Sequence, residues 1–210
     1  SDCEHDYVAT ETEPTCGAAG VITYTCSLCG DSYTEEGAPA TGEHTYEGYV
    51  CSVCGVINYP AEGDELTIPE ATALGVAHPS NSYSENKYYV TGEITGYYGD
   101  KYATYGNVYI KDAEGNTLLI YGLYSADGST RYDAMDVKPV IGDTITVYGV
   151  IGSFNSNAQM KNGWVVEHTA HEHAYDNDFD TDCNVCGEIR NVELPIAKVG
   201  VSASEDVRGV

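Results

Sequence analysis

Apolar and polar residues alternate through much of the chain between residues 88 and 166, and this period of two predicts a β-rich domain. The alternating runs are 89–97, 107–111, 117–121, 143–151 and 158–166. Glycines inside the first run permit strong curvature, and 112–116 has the composition of a hairpin turn. A longer connection with one helical turn is expected at 125–138. Five curved strands with a long third-to-fourth connection predict a small Greek-key barrel.

A short helix is predicted just before the first of these strands. Residues 60–65 have the composition of a polar linker, and Thr67, Pro69 and Glu70 then follow as a helix start. Thr can cap the first turn, Pro is tolerated there, and an acidic residue suits the helix N-terminus. We therefore expect a helix over 69–77.

The motif Cys-x-x-Cys-Gly occurs three times, at residues 26–30, 51–55 and 183–187. A histidine followed two residues later by a tyrosine precedes each copy, and we expect that tyrosine to pack on the turn as a miniature core. Two sulfurs at this spacing can bind one tetrahedral metal ion, and the glycine permits the tight turn that follows. We call each such small Cys/His metal-binding module a knuckle. Because cysteines are absent from 55–182, we predict four parts: two tandem knuckles at 1–59, a barrel at 60–170, a third knuckle at 171–190 and a strand-like tail at 191–210.

The expected metal is structural zinc, two or three ions per chain. The predicted ligands of the first site are His5, Cys16, Cys26 and Cys29. The second site has His44, Cys51 and Cys54, with Cys3 as the candidate fourth ligand. The third has His171, His173, Cys183 and Cys186, with His168 as a spare candidate. The alternative is a disulfide framework, since the cysteine count is even. It would not require histidine, and a bridge within Cys-x-x-Cys is a strained, reducible loop.

A calcium site is a second option near the third motif. Asp176, Asp178, Asp180 and Asp182 have the alternating carboxylate spacing of a calcium loop. Thr181 stands where such a loop has glycine, and the closing glutamate is missing. The alternative is a solvated acidic turn.

The front of the chain resembles a short cysteine repeat found in secreted, multi-modular proteins of anaerobic Gram-positive bacteria. The resemblance rests on Pro14-Thr-Cys16, Tyr24-Thr-Cys26-Ser-Leu-Cys29-Gly30 and His44-Thr-Tyr46. Residues 173–187 are similar to its sister repeat, except that Phe179 stands where that repeat has a cysteine. The resemblance implies an extracellular or cell-surface module and no particular reaction.

Residues 88–166 resemble the bacterial OB-fold family. The resemblance rests on Tyr89-Val-Thr-Gly92, Tyr109-Ile-Lys-Asp112, Leu119-Ile-Tyr121-Gly122, the Gly142-Asp143 pair before the fourth strand, and Gln159-Met160. It implies a binding platform on the second and third strands and the neighbouring loops. Aromatic rings on such a surface can stack on sugars or bases, although each tyrosine could equally belong to the core or to ordinary surface. The candidate ligand-binding residues are Tyr97, Tyr102, Tyr105, Tyr109, Tyr121 and Tyr124.

The chain is strongly acidic, with 33 Asp and Glu against 9 Lys and Arg and a net charge of −24. Such a surface repels nucleic acid and anionic lipid, and favours cations and neutral partners. No apolar run is long enough to insert into a membrane. Residues 1–3 do not have the features of a signal peptide, so we expect a mature or excised chain. No nucleophile motif, phosphate loop or His-Glu-x-x-His is present, so we do not expect an enzyme.

Three functions remain open at the level of sequence. The first is a non-enzymatic extracellular binding or adhesion module whose ligand is a glycan or a protein. The second is a structural subunit of a surface assembly or filament that pairs through 191–210, because a strand without a partner in its own fold can add to a neighbouring molecule. The third is an accessory module for single-stranded nucleic acid, which the charge disfavours.

Overall fold

The first elements of the chain form a small antiparallel sheet with almost no buried face. The computed structural model describes residues 4–192. Strands β1 (Tyr7–Thr12), β2 (Val21–Cys26) and β3 (Ser32–Glu36) pair in that order. Most of their side chains are exposed. A second pair, β4 (Tyr46–Glu47) and β5 (Val50–Cys51), is a two-residue hairpin. Sheets of this size cannot be stable on apolar burial alone, so they need another source of stability.

Aromatic rings supply the little packing that the three-stranded sheet has. The ring of Tyr7 contacts the edge of Tyr33 at a centroid distance of 5.0 Å, and Tyr24 stacks on Tyr33 at 4.8 Å. Tyr7 also stacks on the imidazole of His5 at 5.2 Å. The other two motif histidines are also close to the tyrosine two residues later: the ring centroids are 5.7 Å apart for His44 and Tyr46 and 6.3 Å apart for His173 and Tyr175.

Five further strands close into a barrel. They are β6 (Tyr83–Tyr97), β7 (Val108–Lys111), β8 (Thr117–Tyr124), β9 (Thr144–Phe154) and β10 (Asn157–Thr169). The order around the barrel is β10-β8-β7-β6-β9, and β10 closes it by pairing with β9. The pairing of β10 with β8 is parallel and the other pairings are antiparallel.

Alternation along these strands puts one side of each into a single apolar core. Its fully buried members include Val90, Ile94, Val108, Ile110, Ile120, Ile145, Val147, Ile151 and Met160. Ile110 pairs with Ile94 on one neighbour and with Leu118 on the other, which keeps the apolar register continuous from strand to strand. The barrel is therefore filled by side chains, and its outer face is the surface left for binding.

One end of the barrel is covered by helix α1 (Ile68–Ala77). Thr67 and Glu70 form a reciprocal capping box: the Thr67 hydroxyl accepts from the Glu70 N–H, and the Glu70 carboxylate accepts from the Thr67 N–H. Gly75 allows the helix to lie directly on the barrel, because a Cβ there would come within 2.6 Å of the Ala158 Cβ. Two short helical elements lie in the connections between strands: helix α2 (Tyr102–Tyr105) between β6 and β7, and a 3₁₀ turn (Tyr132–Ala134) between β8 and β9.

The sequence-based expectation of a mainly β chain with a five-stranded barrel and a short preceding helix is confirmed at this level. Four of the five barrel strands are longer than predicted, with β6 beginning at Tyr83 rather than at 89, and β7 is one residue shorter. Strand β1 and helix α2 were not predicted. The chain divides into two compact units after Ala170. The tail predicted at 191–210 lies outside the described residues from position 193 onward.

Residues 171–192 form their own small unit. Arg190 organises it: its guanidinium donates to the carbonyl oxygens of Asp180 and Asn177, both at 2.8 Å, and lies 3.7 Å from the ring centroid of Tyr175. A β-bridge joins Asp182 and Ile189 across the third motif. As in the sheets formed by β1–β3 and β4–β5, few apolar side chains are buried in this unit.

Candidate metal centres and ligand groove

The three Cys-x-x-Cys-Gly motifs fold into the same turn. In each, the glycine has a left-handed backbone, with φ of 76°, 74° and 72° for Gly30, Gly55 and Gly187. Each glycine N–H donates to the carbonyl oxygen of the first cysteine of its motif, at 2.9, 2.9 and 2.8 Å. A residue with a Cβ is strained in this conformation, which accounts for glycine at all three positions.

A second repeated hydrogen bond sets the position of the upstream histidine. The residue after the first cysteine donates its N–H to the carbonyl of the residue after the histidine. The pairs are Ser27–Asp6, Ser52–Thr45 and Asn184–Ala174, at 2.8, 3.0 and 2.8 Å. The imidazole Nδ1 then lies beside the second cysteine sulfur of its motif: His5–Cys29 at 3.4 Å, His44–Cys54 at 3.3 Å and His173–Cys186 at 3.7 Å.

The first cluster contains His5, Cys26 and Cys29, whose ligand atoms all lie within 4.8 Å of one another. Cys26 is buried at the end of β2, and Cys29 is exposed on the turn. These three residues were predicted to share a site. Cys3, which was assigned to the second site from sequence, lies outside the described residues.

The second cluster corrects the predicted pairing. Cys16 was assigned to the first site, but the structure places it with His44, Cys51 and Cys54. Its sulfur lies 3.6 Å from that of Cys51. The cause is backbone pairing between the β1–β2 loop and the segment before His44: the Thr41 N–H donates to the Thr15 carbonyl and the Gly42 N–H to the Cys16 carbonyl. This loop therefore supplies its thiol to the second cluster.

The third cluster contains His171, His173, Cys183 and Cys186, as predicted. The His171 Nε2 lies 3.7 Å from the Cys183 sulfur. The spare candidate His168 is not part of it, because His168 lies in β10 and its Nε2 is 2.7 Å from the buried Asp143 carboxylate. Phe179, which replaces the expected cysteine, is 58% exposed, and the cluster has two histidines instead.

The backbone around each turn favours a thiolate at the first cysteine. Burial opposes ionisation of Cys26 and Cys183, but nearby backbone N–H groups outweigh it and lower their pKa to about 6 and about 5. At Cys51 the Cys54 N–H is the largest influence, and the pKa is lowered to about 5. Burial and the neighbouring sulfurs of Cys54 and Cys51 raise the pKa of Cys16 to about 11. Cys16 would thus ionise readily only next to a cation.

The aspartates considered for calcium are used otherwise. The Asp180 carboxylate accepts from the backbone N–H of Asp176, and the Asp176 carboxylate accepts from the Asn184 amide. Within the described part of the chain, the clusters that could hold a metal contain none of the four aspartates. Hydrogen bonds within the turn therefore engage the carboxylates of Asp176 and Asp180, two of the four.

The six candidate tyrosines separate into two groups. Four have contacts with neighbouring segments of the chain: Tyr97, Tyr102 and Tyr105 through their rings, and Tyr124 through a β-bridge with Arg131. Tyr97 stacks on Tyr102 at 4.3 Å and packs against the core, where burial raises its pKa. The Arg131 guanidinium lies 5.2 Å from the Tyr105 ring centroid. Tyr102 and Tyr105 keep 40% and 37% exposure beside these contacts.

The other two, Tyr109 and Tyr121, lie on the outer face of β7 and β8. Tyr98, which was not among the candidates, joins them: its ring meets Tyr109 at 5.9 Å and Tyr121 at 6.4 Å, both edge-on. Tyr98 and Tyr121 are 41% and 42% exposed. Tyr97, the last residue of β6, packs partly against the core, and its neighbour Tyr98 faces outward. That alternation was the available sequence signal for it.

A groove of about 410 Å³ begins at this aromatic surface. Its aromatic lining is Tyr98, Tyr109 and Phe154, and its polar lining includes the amides of Asn155, Asn157 and Gln159. Phe154 and Asn155 come from the β9–β10 hairpin, whose Asn155 and Ser156 both have positive φ. Sequence reasoning missed this side of the groove because the hairpin and β7 are far apart in the chain.

Comparison with known protein families finds no family model that matches this sequence, and comparison with curated proteins finds no significant match. Among residues 4–192, no helix is both long and apolar enough to cross a membrane.

Proposed function

We propose that this chain is a non-enzymatic extracellular binding module, in which zinc-stabilised Cys/His knuckles accompany an OB-like barrel that recognises a neutral glycan. The observation that carries the binding role is the exposed cluster of Tyr98, Tyr109 and Tyr121 beside an amide-lined groove. The barrel core is complete without these rings, so their place on the outer face calls for another explanation.

Zinc is supported by the chemistry and spacing of the donors. With Zn–S near about 2.3 Å and Zn–N near about 2.0–2.1 Å, the edges of a tetrahedral site are about 3.8 Å between two sulfurs and about 3.5 Å between sulfur and nitrogen. The Cys16–Cys51 distance of 3.6 Å and the His–Cys distances of 3.3–3.7 Å fall near these values. A disulfide would need about 2.05 Å. The second and third clusters each offer four protein ligands, and such a closed set favours a structural role for the ion.

The OB-like assignment is supported by connectivity. Numbering the barrel strands one to five from β6, the closed order is 1-2-3-5-4, with the third and fifth strands parallel. That is a five-stranded Greek-key barrel, and its second and third strands, β7 and β8, carry Tyr109 and Tyr121. Ligands of such barrels bind on this face and the adjoining loops.

A glycan suits the groove better than a charged ligand. Aromatic rings offer flat apolar faces, and amides can both donate and accept hydrogen bonds, which matches the alternating C–H and hydroxyl faces of a sugar. The acidic chain charge opposes polyanions. A larger cavity of about 580 Å³ beside α1 is lined by Glu65, Asp112 and Glu114 and has no aromatic lining, so it fits a neutral sugar less well.

The test is glycan-array binding with full-length protein and three variants. Tyr109→Ala and Tyr121→Ala should each reduce binding to the best glycan by at least about tenfold, the size of effect that loss of one stacking ring produces. Tyr105→Ala is the matched control, since Tyr105 is 37% exposed but belongs to the other tyrosine group. An array with no binding by folded, zinc-loaded protein would refute glycan recognition and leave a protein ligand for this face.

A further inference from the structure

We propose that Asn107 is a ligand-binding residue: its side-chain carbonyl oxygen accepts a hydrogen bond from a sugar hydroxyl once the ring of Tyr98 turns aside. This inference rests on the glycan recognition proposed above and names the polar group that would select the sugar. Asn107 directly precedes β7 and is not itself among the residues that line the groove.

The Asn107 side chain is a buried polar group whose oxygen has no partner. The residue is 4% exposed, and its Oδ1 forms no hydrogen bond with any of residues 4–192. An unpaired buried acceptor costs stability, so native structures pair nearly all such groups. An asparagine held in this state therefore calls for a role other than stability.

The strand register places the Asn107 side chain on the outer face of the barrel, between two rings of the aromatic cluster. The next residue, Val108, points into the core, so alternation directs Asn107 outward. On one side, the Asn107 carbonyl accepts from the N–H of Tyr98 at 2.9 Å. On the other side, Val108 pairs with Ile120, and one step along this register puts Asn107 opposite Tyr121.

The ring of Tyr98 leans over β7 and covers this position. Tyr98 and Tyr121 flank β7 on opposite sides, where two strand spacings separate their backbones by about 9.6 Å. Their ring centroids are only 6.4 Å apart, and Tyr98 also lies 5.9 Å from Tyr109 on β7 itself. The rings thus close above β7, which accounts for the burial of a polar side chain on the outer face.

Tyr98 is suited to be a movable cover. Its side chain is 41% exposed, and it meets Tyr109 and Tyr121 edge-on rather than by close stacking. Gly99, in the loop after β6, has a left-handed backbone with φ of 71°. Because Tyr98 lines the groove and is not part of the core, rotation of its ring would open a path from the groove to the Asn107 oxygen.

A sugar hydroxyl is the donor that fits this position. The amide oxygen of Asn107 can only accept, so the ligand has to donate. The rings of Tyr109 and Tyr121 offer apolar faces to the C–H groups of a sugar, while the oxygen beneath them would take one hydroxyl. A buried acceptor discriminates strongly against an analogue without the matching hydroxyl, because the acceptor is then left unpaired. Asn107 would therefore supply specificity, and the tyrosines affinity.

The first experiment separates a binding role of Asn107 from a structural one. The probe is the neutral oligosaccharide that binds most strongly on the array, titrated by calorimetry into the full chain. Asn107→Ala should weaken its binding by at least about tenfold, and so should Asn107→Leu, which fills the space. Gln159→Ala is the matched control for stability. Gln159 is a buried amide that donates to the Tyr83 hydroxyl, so its loss should lower the melting temperature more than Asn107→Ala does.

The second experiment uses monodeoxy analogues of the same oligosaccharide. Wild-type protein should bind one of them at least about tenfold more weakly than the parent, because that analogue leaves the Asn107 oxygen unpaired. Asn107→Ala should bind this analogue and the parent equally. Tyr98→Ala should keep the discrimination, since the ring covers the oxygen and does not accept from that hydroxyl.

Three results would overturn the inference while leaving glycan recognition intact. They are parent binding that neither Asn107 variant weakens, an Asn107→Ala protein that still discriminates against the analogue, and a melting temperature that falls further in Asn107→Ala than in Gln159→Ala. If wild-type protein binds no oligosaccharide at all, the proposed function fails, and the role of Asn107 fails with it.

Discussion

The sulfur atoms of Cys16 and Cys51 lie 3.6 Å apart although 35 residues separate them. Cys16 comes from the loop between β1 and β2, and Cys51 ends the β4–β5 hairpin. Both are buried, at 7% and 1% exposure, in a region whose strands otherwise face solvent. A metal ion at this cluster would cross-link two polar segments that have no shared apolar core, and would thereby replace the core that they lack.

Replacing Cys16 by serine should remove one zinc ion per chain and destabilise the region of strands β1–β5. The reason is that Cys16 is the candidate ligand that joins the β1–β2 loop to the second cluster. Metal content by mass spectrometry of native protein should fall from three ions to two. Ser52→Ala, adjacent to the centre but without a ligand atom, is the control and should keep three. Three ions in Cys16→Ser would show that Cys16 is not a ligand.

Removing metal with a chelator should unfold the knuckles and spare the barrel. Binding of structural zinc is coupled to folding where no core exists, whereas the barrel has a continuous core from Val90 to Met160. Hydrogen exchange after chelation should show loss of protection in β1–β5 and retained protection in β6–β10. Loss of protection in both regions at the same chelator concentration would mean that the barrel, too, depends on the ions.

The barrel was predictable because its strands bury every second residue. In β7, Val108 and Ile110 are buried while Tyr109 and Lys111 are partly exposed, and the sequence shows that alternation directly. Strand β1 gave no such signal, since all but one of its residues are exposed. Its pairing rests on backbone hydrogen bonds to β2.

The metal centres were predictable in part for a related reason. Cys-x-x-Cys-Gly is a local motif, so the turns and the upstream histidines could be assigned from spacing. Cys16 could not, because its place is fixed by the backbone hydrogen bonds from Thr41 to Thr15 and from Gly42 to Cys16, each between residues 26 positions apart. The groove could not be predicted for the same reason, since Tyr98 and Phe154 are distant in the chain and line one groove only in the closed barrel.

Asp143 should be a larger contributor to barrel stability than its partner His168. The Asp143 carboxylate is 2% exposed and accepts from the Val140 N–H at 3.0 Å and from the His168 Nε2 at 2.7 Å. Asp143→Ala leaves two donors without their acceptor, which should cost about 2–4 kcal/mol in the free energy of unfolding. Urea denaturation measures it.

The controls for Asp143 are substitutions at His168, whose side chain is 21% exposed. His168→Gln keeps a donor and should cost about 1 kcal/mol or less. A larger loss for His168→Gln than for Asp143→Ala would contradict the assigned roles.

The hydrogen bond from the Tyr148 hydroxyl to the Glu62 carboxylate should make stability depend on pH at both extremes. It lowers the pKa of Glu62 and raises that of Tyr148 to about 12. The carboxylate's contribution is present above the ordinary glutamate pKa and is lost as pH falls through the lowered folded value. The phenol's contribution is present below its ordinary pKa of 10.0 and is lost as pH rises through about 12.

Tyr148→Phe removes this hydrogen bond and keeps the ring that stacks on Tyr89. The difference in melting temperature between wild type and Tyr148→Phe should therefore be greatest between about pH 6 and 9 and shrink on either side. A difference that stays constant from about pH 3 to about pH 12 would show that the hydrogen bond is not linked to stability. Tyr33→Phe, in the front sheet, is the control.

Gly75→Ala should destabilise the barrel even though alanine is the better helix former. Within a helix, alanine is favoured over glycine by about 1 kcal/mol. At this position the new Cβ would meet the Ala158 Cβ at 2.6 Å and the Gly152 carbonyl oxygen at 2.9 Å, so α1 must move off the strands beneath it. Overpacking of this kind costs about 1–3 kcal/mol, so after the gain in helix propensity the net loss in unfolding free energy should be up to about 2 kcal/mol. Ala158→Gly in the same chain should restore part of the lost stability, because it removes the nearer contact.

Val76→Ala, at an exposed site of the same helix, is the control and should change the stability little. A more stable Gly75→Ala protein would mean that α1 does not lie as close to the barrel as Gly75 permits.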